Sequence, residues 1–224
     1  MRTAFAAAAA AAALLTASNA SAQEAEIAWN IGVVSDYVFR GFSQSDQEPA
    51  LQGGVDLTVG SFYAGGWASN IDFGDSTEAE LDLYGGYRTE AAGFAFDVGA
   101  VAYLYVEPEG GADYDYVELK VAASRAIGPA TLGAAVFYSP DFFGVDEEAT
   151  YVEGNAAFAL TSKLTVSAAV GQQTLDVTDD YTTWNAGAAY ALSDKLVVDV
   201  RYHDADVDGP LSDDRVVAGM KILF

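Results

Sequence analysis

The chain has 224 residues, 33 acidic against 10 basic side chains, a formal net charge of −23 and no cysteine. Such acidity excludes binding to nucleic acid, or to anionic lipid without bridging cations. The lack of cysteine excludes a disulfide framework, so stability must come from sheet closure or a large core.

Residues 1–22 read as an export signal. Arg2 supplies the positive start, Ala4 to Leu15 the apolar run, and Ala20-Ser21-Ala22 a small-residue cleavage site. That run is too short to cross a bilayer as a helix, which needs about 20 residues. No later window reaches that length without a charge, so a membrane protein made from this chain must cross with strands. One domain is expected over residues 23–224.

Twelve stretches then alternate with a period of two, at residues 26–42, 50–60, 62–73, 78–89, 93–107, 114–126, 130–139, 150–160, 163–174, 181–191, 195–203 and 215–224. In the second, Leu51, Val55, Leu57 and Val59 share a face against Gln52, Asp56 and Thr58. In the last, Val216, Ala218, Met220, Ile222 and Phe224 oppose Arg215, Gly219 and Lys221. No stretch keeps a helical stripe that could cover these apolar faces. The links alternate between short turns and mostly longer acidic ones, the pattern of an up-and-down transmembrane barrel with short periplasmic turns and long external loops. The expected fold is therefore an all-β antiparallel barrel of about 12 strands. Lys163 and Lys195 sit at short turns, so charge separates along the barrel axis.

Trp29, Tyr63, Trp67, Tyr87, Trp184, Tyr190 and Tyr202 are candidates for aromatic girdles at the two interfaces. The other face supplies an expected lumen lining of Asp36, Arg40, Asp56, Asp72, Glu80, Asp82, Arg88, Asp97, Glu118, Lys120, Asp199, Arg201, His203 and Lys221. Asp36 and Arg40, four apart on one face of the first strand, are expected to cluster with Glu80 and Arg88. Met220, Ile222 and Phe224 form an apolar terminus suited to recognition by the barrel-assembly machinery.

The segment from Asp36 through Arg40-Gly41-Phe42 to Gln52 resembles the opening motif of the TorF-family porins. Phe62 to Asn70 and Glu80 to Tyr87 match further. The resemblance implies a proteobacterial outer-membrane barrel and supplies no catalytic residues.

Two other sites compete with plainer readings. Asp204, Asp206 and Asp208 make the D-x-D-x-D-G opening of a calcium loop, with Gly209 for the tight turn. Position seven is Pro210 and position twelve is Arg215. This leaves a weak Ca2+ site at most, against a solvated acidic loop. His203 is the sole histidine. Asp199 shares its face about 13 Å away at strand rise, too far to pair directly in a hydrolytic site.

The function expected from sequence is passive diffusion of small solutes, cations preferred, through an outer-membrane porin of a Gram-negative bacterium, with no enzymatic activity. Outer-membrane lipid and lipopolysaccharide are the expected surroundings. The rival is a non-conducting surface barrel whose acidic loops bind cations. An outer-membrane hydrolase is the more distant alternative.

Overall fold

The computed structural model describes residues 24–106, 108, 112–176 and 178–224. The expected export signal, residues 1–22, lies outside them. Fourteen strands are formed among the described residues: β1 (Glu26–Val34), β2 (Val38–Phe39), β3 (Phe42–Ser43), β4 (Ala50–Val59), β5 (Phe62–Asn70), β6 (Ala79–Ala91), β7 (Phe94–Val106), β8 (Tyr116–Ile127), β9 (Ala130–Ser139), β10 (Ala149–Ala159), β11 (Leu164–Leu175), β12 (Tyr181–Ala191), β13 (Leu196–Ala205) and β14 (Arg215–Leu223).

Twelve of them, β1 and β4 to β14, close into one antiparallel barrel. Each pairs with its neighbour in the chain, and β14 returns to β1 with Ile31 opposite Ile222. Closure leaves no barrel strand with an unpaired edge. The alternation of the sequence becomes the two surfaces of the wall. Val55, Val98, Leu119, Val121, Val170, Val200 and Val216 point out and stay exposed, while Asp56, Asp97, Glu118 and Lys120 point in.

The sequence reading carried the first strand on to residue 42. In the structure it stops at Val34, and the chain turns into the barrel at Ser35 and Asp36. The short hairpin β2–β3 follows as a separate two-stranded sheet. The apolar alternation of residues 37–42 is real, but it packs against the inner wall instead of facing outward. Around it lies the largest buried cluster, with Tyr37, Ala50, Ile71, Tyr103, Tyr105 and Tyr116 at its centre. The hydrophobic core thus sits inside the barrel, in the half next to the long loops.

Close packing of the inner wall depends on glycine opposite aromatic rings. A Cβ on Gly99 would lie 2.5 Å from the Gly85 carbonyl oxygen and 2.8 Å from the Tyr63 hydroxyl. Only hydrogen at that position lets Tyr63 lie across the wall and reach Asp97.

The outer aromatics divide. Trp29 packs on Phe224 with ring centroids 5.5 Å apart, and Phe62 on Tyr87 at 5.1 Å, on the short-turn half of the wall. Trp184 and Tyr190 also face out, as does Tyr202 by its place in the β13 alternation. Tyr63 and Trp67, read as girdle residues, turn inward: Tyr63 bonds Asp97 and Trp67 packs edge-on against Tyr37. They fall in the odd register of β5, whose outward residues are Phe62, Ala64 and Ala68.

Candidate functional site: the lumen and its inward hairpin

The lumen has two halves of different character. On the short-turn half the inward positions are small or charged. Asp97 accepts from Lys120 Nζ at 2.9 Å, from Arg88 Nε at 3.2 Å and from the Tyr63 hydroxyl at 2.7 Å. Arg88 also lies over the Tyr63 ring, 3.8 Å from its centroid. Across the barrel, Arg201 donates to Asn185 at 2.8 Å, Ser167 at 2.9 Å and Asp199 at 3.3 Å. The Tyr84 hydroxyl donates to Asp56 at 2.7 Å. Lys221 faces the lumen on β14, and His203 does so on β13 nearer the long loops, opposite Arg215. Ala122, Ser124, Ala157, Gly187 and Ala189 supply small inward positions between these groups.

On the long-loop half the lumen is filled. The tip of β2–β3 is Arg40-Gly41, with φ of 45° and 88° between the paired Phe39 and Phe42. Positive φ at both central residues is the geometry of a type I′ hairpin turn, which suits the glycine and strains the arginine. What holds the arginine there is its side chain. Arg40 forms a fork with Glu118, both bonds 2.7 Å, and reaches Gln173 at 3.0 Å. Its guanidinium lies 4.4 to 5.1 Å from the ring centroids of Tyr151, Phe39 and Phe137. Tyr103 donates a further bond to Glu118 at 3.1 Å. Side-chain exposure is 6% for Arg40 and 1% for Glu118. Burial pulls the Arg40 pKa down, but the adjoining Glu118 carboxylate outweighs this and raises it.

The rest of the hairpin reaches the other walls. Phe39 meets Tyr103 at 5.8 Å, and Phe42 meets Tyr181 at 5.2 Å. Tyr37 donates to Glu80 at 3.2 Å. A Cβ on Gly41 would come within 2.8 Å of the Ala205 Cβ and 3.2 Å of Thr183. From β5 round to β13 the wall is in contact with this one segment. Its root is pinned by Asp36, which accepts from Ser43 at 2.6 Å, Ser45 at 3.1 Å and Arg215 at 2.9 Å. Beside it, Phe73, Tyr105, Tyr114, Phe142 and Phe143 pack against one another with tilted rings across the loops.

Of the expected lining, Asp56, Glu80, Asp82, Arg88, Asp97, Glu118, Lys120, Asp199, Arg201, His203 and Lys221 occupy inward positions of barrel strands. Three do not. Asp36 and Arg40 belong to the root and the tip of the inward hairpin, and Asp72 is an exposed loop residue that accepts from the Gly74 amide. The expected cluster of Asp36, Arg40, Glu80 and Arg88 does not form: these residues pair with Arg215, Glu118, Tyr37 and Asp97 respectively. Sequence reasoning missed Gln173, Tyr151 and Phe137. All three are inward by alternation, but nothing in the sequence says that Arg40 crosses the barrel to meet them.

Of the acidic motif at the end of β13, Asp204 accepts from the Tyr202 hydroxyl and the Ala205 amide, and Asp206 from the Thr182 amide. Among the described residues, no group of three or more His or acidic side chains is arranged to hold a metal ion. At the loop rim Asp75 is held below the usual carboxylate range by the Thr77 hydroxyl and amide, so it adds to the negative charge there.

A family model described as "Bacterial protein of unknown function (Gcw_chp)" matches residues 17–221. No curated protein sequence matches the chain. Solved structures of like architecture include the KdgM porin, with a TM-score of 0.62, 8% identity and coverage of 90% of this chain and 99% of that one. The same porin has been solved in complex with disordered oligogalacturonate. An outer-membrane channel from Pseudomonas putida F1 aligns with a TM-score of 0.55, 13% identity and coverage of 93% and 100%. At these identities the likeness is one of fold.

Proposed function

This chain belongs to the Gcw_chp family of bacterial proteins, and we propose that it is a channel of the Gram-negative outer membrane that passes small solutes by diffusion. The observation that carries this reading is the contrast between the two faces of one wall. Valines and leucines stand exposed outside, while inside Asp97, Lys120, Arg88, Asp199 and Arg201 pair among small residues. Lipid outside and water inside satisfy both faces at once. Export through a signal cleaved after Ala22, delivery to the barrel-assembly machinery by Met220, Ile222 and Phe224, and surroundings of outer-membrane lipid and lipopolysaccharide belong to the same reading. So does the TorF-like opening motif. The short turns then face the periplasm.

The long-loop mouth is crowded with carboxylates, among them Asp46, Glu48, Asp75, Asp141, Glu147, Asp206, Asp208 and Asp213. A field of this sign concentrates cations and repels anions, less so at high salt. The KdgM porin is known in complex with disordered oligogalacturonate, a polyanion; this mouth disfavours such a solute. The test is the reversal potential in planar bilayers under a low-salt KCl gradient. Cation preference is expected, and anion preference refutes it. A second reading, a closed barrel that conducts nothing, is favoured by the filled long-loop half. It prevails if neither the intact chain nor a chain with residues 37–42 replaced by Gly-Gly conducts.

A further inference from the structure

We propose that residues 37–42 are a movable plug, and that the fork between Arg40 and Glu118 is the latch that holds the channel shut. The proposal rests on the channel reading given above. The contacts of this segment run round the lumen wall from Trp67 on β5 to Ala205 on β13. At this level Gln173 is wholly buried and Glu118 and Tyr116 nearly so, so on this proposal the segment is what closes the passage.

Three features make the segment a moving part. First, β2–β3 is not hydrogen-bonded into the barrel sheet, and so short a hairpin has little stability of its own in water. Second, backbone bonds from the chain on either side stop at its root: Leu211 accepts from the Ser43 amide and Gln44 from the Asp72 amide. Beyond that the tip is held by side chains. Third, Arg40 keeps a positive φ of 45°, a conformation that costs a non-glycine residue free energy. A buried charged fork between aromatic rings offsets that cost. Removing either partner leaves the other charge buried and alone, which favours a swing of the tip into water. The rest of the lumen is lined by small residues and ion pairs.

The experiment is single-channel recording of the refolded mature chain, of Glu118→Gln, of Arg40→Ala and of the double variant, each checked for barrel closure by heat-modifiable mobility on a gel. The intact chain should be closed most of the time. Each single variant should raise open probability by about tenfold or more. The double variant should add little to either, since both cut one interaction. Glu118→Gln keeps the shape of the side chain and is least at risk of misfolding. Should it nevertheless fail to close, the chain with residues 37–42 replaced by Gly-Gly serves, a bridge that the 2.6 Å contact of Ser43 with Asp36 shows to be long enough. If the bridged chain conducts, but no better than the intact one, the plug is overturned. If it conducts freely while folded Glu118→Gln and Arg40→Ala behave as the intact chain does, the latch is overturned and the plug remains. If no variant conducts at all, the channel reading fails instead.

Discussion

Arg40 shows how much one side chain can rearrange. Read along the sequence it belongs to a strand, four residues beyond Asp36 and on the same face. In the molecule its backbone is at a turn and its guanidinium is in a site built by β8 and β11, 78 and 133 residues away. The local signal for the turn was present, since a glycine follows. It was weak, because the dipeptide is Arg-Gly and not the Asn-Gly that marks such turns. Asp36 is the other half of the explanation: its bonds to Ser43, Ser45 and Arg215 end the strand by offering the backbone a tight return. At this scale glycine gives a clean test. Gly99→Ala drives a methyl group against the Gly85 carbonyl and a Tyr63 hydroxyl already bound to Asp97. It should cost about 1–3 kcal/mol in urea unfolding from detergent micelles. Gly154→Ala, where nothing lies within 4 Å of the added carbon, should be close to neutral in the same measurement.

At the scale of the strand, alternation was legible almost throughout. β9 and β12 run from Ala130 to Ser139 and from Tyr181 to Ala191, as the sequence pattern indicated. Most other strands differ by one or two residues at an end. The reason is that the outer face of the strands is largely apolar and the inner face carries the charged and small residues, so a shift in register would expose the wrong set. Period-two alternation does not say which face meets water, and this is why the sequence does not place Tyr63 and Trp67 on the inner side. On β8, Val121 lies mid-strand and Ile127 at the short-turn end, both facing out. Val121→Arg should destabilise the barrel in lipid by about 2–4 kcal/mol and Ile127→Arg by about 1 kcal/mol or less. Equal costs would argue against a hydrocarbon layer centred on the strand. On β14, Phe224→Ser should lower the amount of barrel assembled in cells while leaving refolding in detergent nearly unchanged. An equal loss in both would make the Trp29–Phe224 contact structural and not a signal.

For the whole molecule, strand number and link alternation dictated closure, and closure dictated a lumen. The filling of that lumen was hidden, because it depends on a segment that leaves the sheet and returns without changing the strand count. β1 pairs directly with β4 as if residues 35–49 were only a loop. The result is a barrel with an internal core at one end and a charged, small-lined chamber at the other. On the reading proposed above, selectivity belongs to the acidic rim and closure to the plug.

All of this presumes that the apolar outside faces lipid, and the three tryptophans report on it directly. Trp29 and Trp184 point outward, while Trp67 lies inside against Tyr37. Single-tryptophan variants, the other two replaced by Phe, should be reconstituted in vesicles of brominated phospholipid and their fluorescence compared with that in plain lipid. Strong quenching of Trp29 and Trp184 with Trp67 spared is the expected result. Quenching of Trp67 alone, or of none of the three in a folded barrel, would contradict a wall that is apolar to lipid and wet within.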